Sequence, residues 1–267
     1  MHDSARSMKS SDWLIPQWPA PAHVHALCTT RIGGVSATPY DSLNLGDHVG
    51  DQPTRVAANR ACLQRAIQAR AVFLTQTHGT QAVWLSEAAG PQVQADACLT
   101  ERPGLACTIL VADCLPVLLT NTQGSRVAGA HAGWRGLAGQ AGRGVLESVL
   151  EEFVAPPTAA EGCNVSEVLA WLGPCIGARA YEVGAEVREA FVAQQSAAQP
   201  LFVPLGGGKW LADLPGLARL RLRALGVTQI HGNDGSPGWC TFSQPAQFFS
   251  HRRDGVSGRM AACIWLD

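Results

Sequence analysis

Cys114 and His131 are the side chains whose types and spacing first suggest chemistry. Cys114 follows Asp113 and precedes the apolar run Leu115-Pro116-Val117-Leu118-Leu119-Thr120, while His131 follows the run Arg126-Val127-Ala128-Gly129-Ala130. Between the runs lies Asn121-Thr122-Gln123-Gly124-Ser125, a turn composition, so the spacing predicts an antiparallel hairpin. Pairing Thr120 with Ser125 or Arg126 would set the Cys114 sulfur opposite the His131 imidazole, since opposed residues in a hairpin have side-chain roots about 4.5–5.5 Å apart. A thiolate and an imidazole so placed are ligands for a borderline-soft metal. His78 ends the run Val72-Phe73-Leu74-Thr75-Gln76-Thr77 beside Gly79 and offers a further donor of the same class. A Cys/His set of this size leaves one tetrahedral position open, the pattern of a catalytic zinc site.

The surrounding elements must hold these groups. Gly133-Trp134-Arg135-Gly136 reads as a turn into a helix over 137–153, with Val145, Leu146, Val149 and Leu150 on one side. The start of such a helix favours an anion, which Arg135 would reinforce. A long polar stretch over 31–51 carries Arg31, Asn44 and His48, and long loops of that kind are often functional. Alternation predicts a strand over 23–30. Pro53-Thr54 opens a helix in which Val56, Asn59, Arg60, Leu63 and Ile67 recur at three- and four-residue intervals, with Thr54 as its N-cap. The strand 72–76 is expected to return through Val83-Trp84-Leu85, and further strands are expected at 95–100, 104–111 and 168–172. Helices are expected over about 185–193 and 211–227, the latter with Asp213 as cap and Gly226 as stop. Residues 248–253 and 259–266 read as a hairpin whose rim carries Arg252, Arg253 and Arg259.

Bulk properties narrow the class. The 267 residues are 46% hydrophobic with a net charge of −1, so a substantial core forms and no overall basic field argues for nucleic acid or an anionic membrane. No apolar run of about 18 residues suggests a membrane span, and the polar first segment lacks a signal-peptide core. Residues 1–12 are expected to be a disordered tail and residues 13–267 a single domain, because neither an internal repeat nor a linker is visible. Nine cysteines without a C-x-x-C pair suit a reducing, cytoplasmic setting better than a disulfide framework.

Several blocks in order carry a resemblance: Thr29-Thr30-Arg31-Ile32-Gly33-Gly34-Val35-Ser36, Ser42-Leu43-Asn44-Leu45-Gly46, Gln76-Thr77-His78-Gly79, Ala112-Asp113-Cys114-Leu115-Pro116-Val117, His131-Ala132-Gly133-Trp134-Arg135-Gly136, Gly173-Pro174-Cys175-Ile176-Gly177 and Arg252-Arg253-Asp254. In these the chain resembles the YfiH-type laccase-domain family, also labelled polyphenol oxidase or multicopper oxidoreductase, whose members act as purine nucleoside phosphorylases with adenosine deaminase activity. The resemblance implies an α+β fold, with mixed β-sheets layered between helices in an α/β/β/α-like order. It implies one zinc ion per chain on His78, Cys114 and His131. Phosphate and purine nucleosides (adenosine, inosine, guanosine, methylthioadenosine) are the expected partners. Arg135, Arg31 and either Arg252 or Arg253 are then candidates for phosphate, Asn44 and His48 for ribose or base, and Asp113 for a proton donor or an orienter of the metal ligands.

The oxidase label fits the residues poorly. A multicopper oxidase gathers its coppers on clustered histidine pairs, whereas this chain has eight histidines and a single H-x-H pair, His23-Val24-His25. Copper could still occupy a His-Cys-His site, because it binds most nitrogen and sulfur ligands more tightly than zinc. The H-x-E and P-C-x-x-C signature of cytidine-type deaminases is absent. Two other readings stay open: a hydrolase that edits peptidoglycan precursors, and a non-catalytic protein stabilised by zinc.

Overall fold

Alternation within the strands decides the layering. The computed structural model describes residues 13–156 and 161–267, so the tail assigned to residues 1–12 lies outside the described residues, as do positions 157–160. The strands are β1 (Val24–Cys28), β2 (Arg70–Phe73), β3 (Ala82–Trp84), β4 (Ala97–Thr100), β5 (Leu105–Val111), β6 (Leu115–Asn121), β7 (Val127–Ala132), β8 (Val168–Leu172), β9 (Glu182–Gly184), β10 (Phe202–Gly206), β11 (Lys209–Ala212), β12 (Gln229–Gly232) and β13 (Met260–Leu266). Helices are α1 (Pro53–Ile67), α2 (Trp134–Ala138), α3 (Val145–Val154), α4 (Ala185–Val192), α5 (Leu214–Ala224) and α6 (His251–Asp254).

A four-stranded sheet runs β1-β13-β5-β2 and a six-stranded sheet runs β12-β8-β6-β7-β4-β3, with a small β10-β11-β9 sheet at the side. Cys107, Ile109 and Val111 of β5, with Met260, Ala262 and Ile264 of β13, point into a cluster shared with Leu118, Val127 and Trp171 of the larger sheet. Their neighbours Ala106, Leu110, Ala261 and Cys263 point the other way, onto Leu63 and Ile67 of α1 and onto Leu43 and Leu45. On the far side of the larger sheet, Leu115, Val117, Leu119, Ala128 and Ala130 pack against Leu146, Val149 and Phe153 of α3 and Leu217 and Leu222 of α5. Period-two strands buried on both faces therefore produce helix, sheet, sheet, helix in that order, a mixed α+β fold.

Several local expectations are corrected. The central hairpin exists, but Thr120 pairs with Val127 and Leu115 with Ala132, so Cys114 lies beside Gly133 rather than opposite His131. The loop is longer because Asn121 closes it on Ser125, its Oδ1 accepting the Ser125 N–H at 2.9 Å, while the Arg126 side chain turns inward to the Phe153 carbonyl at 2.8 Å. The segment Val83-Trp84-Leu85 does not return along β2; β3 runs parallel to β4 in the other sheet. The helix expected over 137–153 is broken into α2 and α3, since Gly139 has φ +65° and a Cβ there would collide with the Arg143 carbonyl. Gln52, not Thr54, is the N-cap of α1, with Pro53 in the first turn. No C-terminal hairpin forms: Ser250 accepts the Arg253 N–H at 3.2 Å and starts α6, while Phe248 and Phe249 are fully buried. The Asp213 cap is as expected, its Oδ1 accepting from Gly216 N at 3.0 Å.

Candidate metal centre

His78, Cys114 and His131 come from different places in this frame. His78 sits where the chain crosses from β2 in one sheet to β3 in the other, with φ +60°. Cys114 immediately precedes β6, after Asp113 at φ +91°, and His131 lies near the end of β7. Their donor atoms all lie within 4.8 Å of one another, with Cys114 Sγ 3.9 Å from His78 Nε2. Zn–S and Zn–N bonds of roughly 2.3 and 2.0–2.1 Å at tetrahedral angles imply separations of about 3.3–3.6 Å, so a small contraction would close these donors on one ion. Gly133 makes the approach possible: a Cβ there would stand 2.9 Å from the Cys114 sulfur and 3.2 Å from His78 Cδ2.

Asp96, which carried no signal in the sequence, holds both histidines. Its Oδ1 accepts the His131 Nδ1 hydrogen bond at 2.8 Å and the His78 backbone N–H at 2.9 Å. Its Oδ2 accepts from the backbone N–H of Thr77 at 3.0 Å and of Gly79 at 2.7 Å. Consecutive N–H groups converging on one carboxylate need the left-handed turn at His78. Bonding Nδ1 to Asp96 directs His131 Nε2 toward the donors it shares, the arrangement typical of metal-ligating histidines. Burial opposes ionisation of Asp96, but His131 and the Gly79 and Thr77 amides hold its carboxyl below the usual range.

Cys114 and His131 stabilise each other as an ion pair. Burial pushes the Cys114 thiol up, yet His131 and His78 outweigh it and bring the thiol down to about 6. Burial likewise pulls His131 down, while the Cys114 thiolate and Asp96 raise it to about 9. The thiolate that a metal requires is thus already favoured by the protein.

The donors open onto a cavity of about 400 Å³. Of the candidates from sequence, His48, Arg135, Arg252 and Asp113 line it with the three donors. Arg31, Asn44 and Arg253 do not. Arg31 binds the Asp41 and Pro245 carbonyls, each at 2.9 Å, and lies over Phe249. Asn44 is fully buried and ties up the Gly46 backbone. Arg253 donates to the Thr241, Phe242 and Phe248 carbonyls and pairs with Asp254 at 2.7 Å. Asp113 accepts from Thr241 Oγ1 at 2.6 Å and from Arg252 N at 2.7 Å, one bond to each oxygen. Arg259, His251 and Tyr181 also line the cavity. Of these, His251 and Arg259 belong to a stretch marked in the sequence, the arginine-rich segment after residue 250, whereas Tyr181 carried no such signal.

The description multi-copper polyphenol oxidoreductase laccase belongs to the family matched by residues 25–267. The chain is 50% identical over 256 residues to the purine nucleoside phosphorylase PA4543 of Pseudomonas aeruginosa, covering 95% of this chain and 98% of the relative. It is 47% identical over 258 residues to the purine nucleoside phosphorylase YfiH of Escherichia coli, covering 96% and 99%. Among solved structures, protein NMB0706 of Neisseria meningitidis superposes with a TM-score of 0.87 at 45% identity, covering 96% of this chain and 99% of that one. YlmD of Geobacillus stearothermophilus follows the same fold, with a TM-score of 0.82 at 29% identity over 97% and 98% of the two chains. With its layered sheets, its His-Cys-His cluster and these relatives, the chain belongs to the laccase-like YfiH family.

Proposed function

We propose that the protein is a zinc-dependent purine nucleoside phosphorylase, converting adenosine, inosine, guanosine or methylthioadenosine and phosphate to the free base and the sugar 1-phosphate. What supports the reading is one arrangement: three nitrogen and sulfur donors in the wall of a cavity whose other lining groups include three arginines. His78, Cys114 and His131 would hold the ion. Zinc bound there supplies a Lewis acid that polarises a substrate atom.

In phosphorolysis a phosphate oxygen attacks the anomeric carbon, the glycosidic C–N bond breaks, and the purine leaves with the electron pair and gains a proton. Arginine is suited to hold the nucleophile, because its guanidinium offers paired donors to phosphate oxygens. Arg252 is pre-oriented, bonded to the Glu182 carbonyl at 2.7 Å and lying 5.4 Å over the Tyr181 ring. Arg135 lies over Trp134 at 4.6 Å. Burial pushes the Tyr181 hydroxyl up, so it remains a hydrogen-bond donor at neutral pH. Burial and the nearby Arg259 hold His48 below its ordinary value of 6.5, so its imidazole is neutral at pH 7 and suited to a sugar hydroxyl or a purine nitrogen. Asp113 positions Arg252 through its backbone.

Adenosine deamination at the same site is a second activity of this proposal. The nine cysteines, all free, support a reducing, cytoplasmic setting, and among the described residues no helix is long and apolar enough to cross a membrane. The decisive experiment measures metal in protein purified without added metal, then products from adenosine and inosine with and without phosphate. One zinc per chain, with base and sugar 1-phosphate formed only when phosphate is present, is the expected result. Copper with phenol oxidation, or zinc without nucleoside turnover, overturns it. Inosine formed from adenosine without phosphate tests the deaminase activity separately.

A further inference from the structure

Arg259 differs from several other buried or half-buried arginines of the protein in how it is held and in what it lacks. Arg31, Arg60, Arg221 and Arg253 each meet a carboxylate within 3.3 Å, at Asp41, Asp47, Glu147 and Asp254. Arg259 forms no ion pair among the described residues, although its side chain is half-buried against the loop and lines the cavity. An unpaired guanidinium out of full solvent is costly unless an anion completes it. The single carboxylate lining the cavity, Asp113, accepts from Thr241 Oγ1 and the Arg252 N–H and acts on Arg259 only through space, without an ion-pair contact.

The guanidinium is also fixed in advance. The Arg259 N–H donates to Asn44 Oδ1 at 2.9 Å, and its carbonyl accepts from Leu45 N at 3.0 Å. Its NH1 donates to the Ser257 carbonyl at 2.9 Å, the Gly258 carbonyl at 3.1 Å and Ser257 Oγ at 3.5 Å. Its stem lies on Gly46, where a Cβ would stand 2.7 Å from Arg259 Cγ. Asn44 is locked in turn, its Nδ2 donating to the Gly46 carbonyl and to Asp51 Oδ2, each at 3.0 Å. Nε and NH2 have no partner among the described residues. A cation clamped through NH1, with its other nitrogens free at a cavity that Arg135, Arg252, His48 and His251 also line, is a preorganised oxyanion site.

We propose that Arg259 is the anchoring cation for a tetrahedral oxyanion, inorganic phosphate or the phosphate of the sugar 1-phosphate product, and that Leu43-Asn44-Leu45-Gly46 is the segment that positions it. This rests on the phosphorylase reading and deepens it. Asn44 thereby acts through the arginine it positions and does not touch ribose or base.

The test compares zinc-loaded wild type with Arg259→Gln and Arg259→Lys, after zinc content and thermal unfolding show that each variant folds with its metal. Arg259→Gln is expected to raise the KM for phosphate about ten- to a hundredfold, the loss of a charge-assisted contact, with the nucleoside KM within about twofold. The reverse reaction read against sugar 1-phosphate separates the two sources of the anion, and a rise in either KM supports the site. Arg259→Lys should fall between wild type and Arg259→Gln, and it serves alone if the glutamine variant does not fold. An unchanged KM for both anions overturns the proposal. If the wild type shows no phosphate-dependent turnover, the phosphorylase reading fails first. Calorimetric titration with inorganic phosphate then decides about Arg259: binding lost in the variant supports an anion site, and equal or absent binding in both overturns it.

Discussion

With no metal bound, Cys114 is a thiolate above about pH 6, because the depressed thiol loses its proton there and not near 9. Alkylation at Cys114 in metal-stripped protein should therefore half-saturate near pH 6 and be suppressed by one equivalent of zinc, as read by mass spectrometry of the labelled peptide. A midpoint near 9 would contradict the His131 pairing. Asp96→Asn should weaken zinc binding by roughly ten- to a hundredfold, measured by competition with a chelating dye, because it removes the charge that fixes His131 Nδ1 and loosens the amide cluster around His78. The donors could be read in the sequence, since each stands in a short block with glycine or proline close by. Asp96 could not: Ala95-Asp96-Ala97 carries no pattern, and its role arises from hydrogen bonds to residues 17 to 35 positions away. Arg253 and Arg259 look alike in the sequence, and only the structure shows that the adjacent Asp254 takes up the first of them.

Among the elements, α1 ties the layered frame to the loop that presents Arg259. Asn59 on its buried face donates to Ser36 Oγ at 3.0 Å, to the Ser42 carbonyl at 3.2 Å and to the Asn44 carbonyl at 2.9 Å, and accepts from Val35 N at 2.9 Å. Asn59→Ala leaves these loop groups unmatched and should cost about 1–3 kcal/mol by chemical denaturation. Leu63→Ala, on the same face but touching only the core, should cost about 2–5 kcal/mol while leaving the cavity residues in place. The face of α1 follows from its spacing, and so do the doubly buried runs of β5 and β6. Register and partnership do not follow, because they depend on side chains that close loops. Asn121 and Arg126 lengthen the central turn, and Ser250 turns an expected strand into α6. Even so, the corrected register still delivers Cys114 to His131 and His78, since the donors meet at the ends of strands, where a small displacement is absorbed by the turn at Asp113.

For the molecule as a whole, charge is concentrated and not general: a chain of net charge −1 places three arginines around one cavity. Raising ionic strength from about 0.01 to 0.15 M, which shortens the screening length from about 30 to 8 Å, should lower kcat/KM for phosphate with little change in the nucleoside KM. Equal sensitivity of both parameters would place the anion elsewhere. The order of the strands in space has a consequence for how the protein is made. β13 lies between β1 and β5, yet it is the last strand in the chain and immediately follows Arg259. Until it leaves the ribosome, the four-stranded sheet has a gap at its centre, β1 has no neighbour in that sheet, and Asn44 has no backbone N–H from Arg259 to accept. A nascent chain arrested before residue 260 should be cut readily by protease within 24–28 and 105–111, whereas the released chain resists. Competence for chemistry is therefore withheld until β13 has been made and inserted between β1 and β5.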